Sequence, residues 1–213
     1  MKKFFCSVAA CFSFMTVVLT GCSQGRVVNN NSTETVLEQK AIERESFMTN
    51  KKILITYFSV SEHTKKLAET IHAYVGGDLV RIEPVVPYST DYKELTDYAK
   101  KEHDESGRPA FKPLGVDPED YDVIFVGYPV WWYTIPMIIH TFFDTYDLSG
   151  KIIVPFNTHE GSGDGGTYDT IKKREPEAMV LDGLPIRGDD TQFDQSEAVL
   201  NWLHRLDLIP AKE

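Results

Sequence analysis

Beyond residue 22 the chain has no cysteine; Cys6, Cys11 and Cys22 are its only three. That excludes disulfides, thiolate metal sites and cysteine nucleophiles from everything downstream. Positive charge is also scarce. Twenty-two Lys and Arg stand against 32 Asp and Glu, a net charge of −10 at pH 7. Such a surface repels phosphate backbones, and nucleic acid is not an expected partner. Long apolar runs are missing except for Phe4 to Leu19, whose 16 residues fall short of the ~20 that a membrane-spanning helix needs. Neither G-x-x-x-x-G-K-[ST] nor G-x-S-x-G occurs, which removes P-loop and serine-elbow chemistry. The six histidines, at 63, 72, 103, 140, 159 and 204, lack the i, i+4 spacing of a helical metal pair. What is present is ordinary for one folded domain: 42% apolar and 25% charged residues over 213 positions.

The N-terminal end reads as an address. Lys2 and Lys3 precede the apolar run, which closes on Leu19-Thr20-Gly21-Cys22. That order of apolar, small, small, cysteine is similar to a bacterial lipobox. The expectation is a signal peptide over residues 1–21, a lipid on Cys22, and export to the cell envelope, where the lipid alone meets the membrane. Residues 22–50 are polar, with Asn29-Asn30-Asn31 and mixed charges. They carry too little apolar surface to fold alone and are expected to form a flexible tether. The folded domain is expected over 51–213.

Within that domain strand and helix patterns alternate. Ile53 to Phe58 is a β-rich apolar run, as expected of a strand buried on both faces. From Thr64 the apolar residues Leu67, Ala68, Ile71 and Val75 share a helical stripe that Gly76-Gly77 stops. Strands are expected at Leu79–Ile82, Asp122–Tyr128 and Lys151–Phe156, with a short fifth at Ala178–Leu181. Helices are expected over Tyr92–Glu105, from Pro136 through Phe143, and around Val199, Trp202, Leu203 and Leu206. Such alternation implies a parallel sheet covered on both sides. In these sheets a ligand binds outside the carboxyl ends of the strands.

Three loops at such ends carry the candidate residues. The first, Ser59-Val60-Ser61-Glu62-His63-Thr64, joins hydroxyl donors to a helix N-terminus, a combination suited to a phosphate; capping alone would use the same residues. The second, Tyr128 to Pro136, presents Trp131, Trp132 and Tyr133 in a row. Flat rings there suit stacking on a planar heterocycle, or plugging the neighbouring helix. The third, Asn157 to Gly166, is glycine-rich and lets backbone approach a ligand closely. Its formal G-x-G-x-x-G match follows the fourth strand rather than the first, which is the wrong place for a dinucleotide fingerprint.

Taken together these segments resemble the bacterial flavodoxin-like lipoproteins, an FMN-binding flavodoxin-type family. The resemblance rests on Ile55-Thr56-Tyr57-Phe58-Ser59 through Thr64, Gly127-Tyr128-Pro129-Val130-Trp131-Trp132, and Pro155-Phe156-Asn157-Thr158-His159 through Gly161-Ser162-Gly163. It implies a three-layer α/β fold with a five-stranded parallel sheet in the order 2-1-3-4-5. It also implies that Ser59, Ser61, Glu62, His63 and Thr64 hold the phosphate of FMN. Pro129, Val130, Trp131, Trp132 and Tyr133 would then flank its ring on one side, and Thr158, His159, Glu160, Gly161, Ser162 and Gly163 on the other. The implied activity is electron carriage or flavin-dependent reduction of quinone-like acceptors, with a redox partner that the residues leave open. No dedicated catalytic side chain is expected. The family pattern differs at three places: Glu62-His63 stands for Gly-Asn, Tyr133 for a glycine after Trp-Trp, and Glu160 for a glycine. Two carboxylates beside the flavin are expected to weaken its retention. A flavin-free binding module with the same fold is the alternative reading.

Overall fold

The computed structural model describes residues 51–209. The leader, Cys22 and the tether lie outside the described residues, as do the last four. The sheet contains β1 (Ile53–Tyr57), β2 (Asp78–Arg81), β3 (Val123–Pro129), β4 (Ile152–His159), β5 (Met179–Val180) and β6 (Leu184–Arg187). Helices α1 (His63–Val75), α2 (Tyr92–Asp104), α3 (Met137–Thr145), α4 (Thr167–Arg174) and α5 (Ser196–Arg205) alternate with them. The strand order is β2-β1-β3-β4-β5, with β6 also on β4 and every pairing parallel. This is the expected three-layer α/β arrangement in the order 2-1-3-4-5.

Each central strand sends alternate side chains to two separate cores. Leu54, Ile124, Val126 and Ile153 face a cluster completed by Ile138, Ile139, Phe142 and Phe143 of α3 and Ile171 of α4. Ile55, Phe125, Val154 and Phe156 face the other, against Leu67, Ala68 and Ile71 of α1 and Val199, Trp202 and Leu203 of α5. Burial on both faces explains why these strands read as unbroken apolar runs rather than alternating ones. Helix α2 is less apolar and starts by capping instead: the Asp91 carboxylate accepts the Glu94 N–H at 2.9 Å.

Most boundaries shift from the sequence expectation by a residue or two, and two strands differ by more. The fifth strand is broken in two: β5 pairs with Ile152 and Ile153, and β6 resumes at Leu184 opposite Phe156. Leu184-Pro185-Ile186-Arg187 carries a proline and little apolar pattern, and so gave no strand signal. Strand β4 runs on to His159, so Asn157, Thr158 and His159 belong to the strand and the glycine loop begins after them.

Candidate functional site

The carboxyl ends of β1, β3 and β4 bring the three loops into one place. Thr64 at the start of α1 and Thr158 at the end of β4 share a buried hydroxyl–hydroxyl bond of 2.9 Å. The Val130 N–H donates to the Thr158 carbonyl at 2.8 Å, joining the second loop to the third. The rings of Phe58 and Trp131 meet edge-on at 5.3 Å, joining the first to the second.

In the first loop Glu62 holds a left-handed backbone, φ 66°, and no side chain among the described residues caps α1. The amides of the first turn therefore lack a side-chain acceptor as well as intrahelical partners. Ser59 is 3% exposed, and its Oγ has no hydrogen-bond partner among the described residues. Ser61 is exposed beside it. A buried hydroxyl with no partner is costly by about 1–3 kcal/mol, and next to uncapped amides it completes a neutral donor set for an anion. The donor set fits a phosphate group.

The Glu62 carboxylate does not lie free beside these donors, contrary to expectation. It accepts from Arg81 Nη2 at 2.7 Å and lies 3.1 Å from Lys65 Nζ. Burial raises its pKa, and the bonds from Lys65 and Arg81 outweigh this to leave it below the ordinary carboxylate value. Arg81 also donates to the Ser59 carbonyl at 2.6 Å, clamping both ends of the loop. Sequence reading missed Arg81 because it lies on β2. The usable signal was the parallel register, which sets Arg81 opposite Tyr57.

The second loop divides the three aromatic rings. Trp131 and Thr134 exchange backbone bonds of 3.1 and 3.0 Å around a two-residue turn. Trp132 and Tyr133 occupy its centre at φ 50° and 59°, the conformation of a hairpin turn that glycine and asparagine usually fill. Half-buried Trp131 packs on Phe58 and on Tyr88, each at 5.3 Å. Trp132 is 49% exposed, donates Nε1–H to the Thr96 carbonyl of α2 at 3.0 Å, and has Lys100 Nζ 5.7 Å from its ring centre. Tyr133 is 75% exposed. Trp131 is thus a plug, Trp132 is tied to a neighbouring helix, and Tyr133 stands open at the mouth. Pro129 closes β3 opposite Thr158.

The third loop is tied from within. Asn157 Nδ2 donates to the Gly163 carbonyl at 3.1 Å, and the Tyr168 hydroxyl donates to Asn157 Oδ1 at 2.5 Å. The Gly161 N–H donates to His159 Nδ1 at 2.9 Å, which places the neutral ring's proton on Nε2. Gly161 and Gly163 have φ of 129° and 63°, backbone that side chains disfavour. Ser162 lies between them, partly exposed. Glu160 and His63 both come up beside Gly188: a Cβ placed there would fall 2.5 Å from Glu160 Oε1 and 2.6 Å from His63 Nδ1. Among the described residues there is no cluster of His, Cys, Asp and Glu able to hold a metal ion.

A doubly covered parallel sheet with phosphate-type donors after its first strand, rings after its third and glycines after its fourth defines a flavodoxin-like protein. The flavodoxin family profile matches residues 52–206, and the chain belongs to that family. A crystal structure from Bacteroides eggerthii, assigned as a flavoprotein, is 36% identical with a TM-score of 0.63; the match covers 76% of this chain and 100% of that one. A second, from Bacteroides uniformis and assigned likewise, is 27% identical with a TM-score of 0.64, over 72% of this chain and 98% of that one. A flavoprotein from Lactobacillus acidophilus, solved in complex with FMN, shares the fold at 23% identity and a TM-score of 0.53, over 67% of this chain and 97% of that one. No curated protein matches the chain.

Proposed function

We infer that the protein binds FMN and works as a redox carrier or flavin-dependent reductase, anchored by a lipid at the cell envelope. The observation that carries this reading is the buried, unpartnered Ser59 hydroxyl beside the uncapped N-terminus of α1. The Lactobacillus acidophilus neighbour, solved with FMN, supports the choice of ligand. Bound FMN supplies the electron-transfer chemistry, and the chain supplies binding and orientation. Ser59, Ser61 and the amides of His63 and Thr64 would hold the phosphate. Arg81 keeps the Glu62 carboxylate turned onto itself, which limits repulsion of that anion. Exposed Tyr133 would cover the heterocycle, and the amides between Gly161 and Gly163 would approach its other edge. Glu62's ion pairs weigh against the flavin-free alternative, which drew on the carboxylates of Glu62 and Glu160.

The purified full chain is expected to be yellow, or to turn so on titration with FMN. Ser59→Ala should weaken FMN by about tenfold, the effect of one hydrogen bond to a charged group, and should leave riboflavin affinity unchanged because riboflavin lacks the phosphate. A parent that binds neither flavin would leave the flavin-free reading standing. The anchor is tested separately. Cys22→Ser should move the protein from the membrane fraction to a soluble or unprocessed form, and a variant that fractionates like the parent would remove the lipid from this proposal.

A further inference from the structure

One buried carboxylate has no part in the binding site described above. Glu102 on α2 is 8% exposed and forms no ion pair among the described residues. Its neighbours are hydroxyls instead. Tyr88 donates to Glu102 Oε2 at 2.8 Å, and the Tyr98 hydroxyl lies near the same carboxyl group. Burial raises the pKa of Glu102, and the two hydroxyls oppose the rise. A leucine or methionine would fill this volume without burying a charge. What the carboxylate adds is position: a hydrogen bond pins the far end of a ring that apolar packing alone leaves freer to shift.

The ring it fixes lies under the site. Tyr88 sits in an irregular stretch between β2 and α2, where no helix or strand ladder holds it. Its ring meets Trp131 at 5.3 Å and 73°, and Phe58 at 5.4 Å and 59°. Phe58 immediately precedes Ser59, and Trp131 opens the strained turn that carries Tyr133. Tyr98 braces the far side of Tyr88 at 5.8 Å. Ring–ring contacts depend on where each ring sits, so a Tyr88 ring pinned at its hydroxyl end bears on both loops.

We propose that Glu102 is a positioning residue for the flavin site. Through the Tyr88 hydroxyl it sets the Phe58–Tyr88–Trp131 ring cluster from which the first and second loops depart. The inference rests on the FMN reading for its effect on affinity, but its structural half concerns the protein without ligand.

The experiment uses the full chain in two measurements. In the absence of FMN, the near-ultraviolet circular dichroism that Trp131→Phe removes defines the cluster's signal. Tyr88→Phe and Glu102→Leu should each abolish that signal while the far-ultraviolet spectrum is kept. Glu102→Gln, which retains an acceptor oxygen, should preserve it. On titration with FMN, the first two variants should bind about five- to tenfold more weakly, the effect of one net hydrogen bond. Glu102→Gln should match the parent, and the Tyr88→Phe, Glu102→Leu double variant should be no weaker than either single one. Loss of Glu102 serves here as the harsher variant, and Tyr88→Phe, which keeps the ring, stands in for it if the leucine protein does not fold. The proposal is overturned if the signal survives in Tyr88→Phe, if affinity is unchanged where the signal is lost, or if glutamine fails as leucine does. A parent that binds no FMN sinks the flavin reading itself, and the ligand-free spectra still decide whether Glu102 holds the rings.

Discussion

Gly77→Ala should lose about 3–5 kcal/mol of folding stability, adding left-handed backbone strain to overpacking against main chain. Gly77 has φ +83°, and a Cβ there would lie 2.3 Å from the Ile53 carbonyl oxygen. Ile53 begins β1, which pairs with strands on both sides, so the backbone cannot move away without disturbing the sheet. A domain with about 5–15 kcal/mol in total has little margin for this. Gly150→Ala is the matched control: φ is +73° but no atom lies within 4 Å of its Cβ. It should cost about 1 kcal/mol, the backbone term alone. Urea denaturation of both variants checks the difference, and equal losses would show that the contact at Ile53 is easily relieved.

Trp131→Ala and Tyr133→Gly should have opposite effects. Removing the half-buried indole takes away two ring contacts and should cost about 2–4 kcal/mol of stability. Tyr133→Gly relieves a residue held at φ 59°, and should gain about 0.5–1 kcal/mol. The same change removes the exposed ring at the site mouth, and FMN affinity should fall about two- to tenfold. Thermal melts of the ligand-free variants together with FMN titrations separate the two roles. If Tyr133→Gly binds FMN like the parent, stacking belongs to another ring. A gain in stability with a loss in binding is the pattern of strain kept at a functional site.

Much of this was legible in the residues. Ile53–Phe58, Asp122–Tyr128 and Lys151–Phe156 read as buried strands because both of their faces meet helices, leaving no polar alternation to confuse the pattern. The three loops were found because hydroxyls, rings and glycines are local features. What escaped was non-local. Arg81 looks like a surface cation until the register of β1 and β2 brings it to Glu62, where it pairs with a carboxylate that looked free. The row Trp131-Trp132-Tyr133 gave no sign that its members part company, because the turn that separates them uses backbone angles glycine would ordinarily supply. Glu102 belongs to a charged run that reads as a solvated helix face. Its burial depends on Tyr88, fourteen residues earlier, in a stretch without periodicity. Strand β6 was missed because its apolar pair, Leu184 and Ile186, is too short a pattern around Pro185 to stand out.

That same broken strand bears on self-association. On the lipid anchor proposed above, copies would share two dimensions and meet far more often than freely diffusing ones. A long bare sheet edge would then be a standing invitation to intermolecular strand pairing. Here one outer strand, β2, is four residues long with Asp78 and Arg81 at its ends. The other is split into two residues of β5 and four of β6, and Pro185 brings no N–H to a neighbour. The sheet ends in fragments too short and too charged to template its own extension.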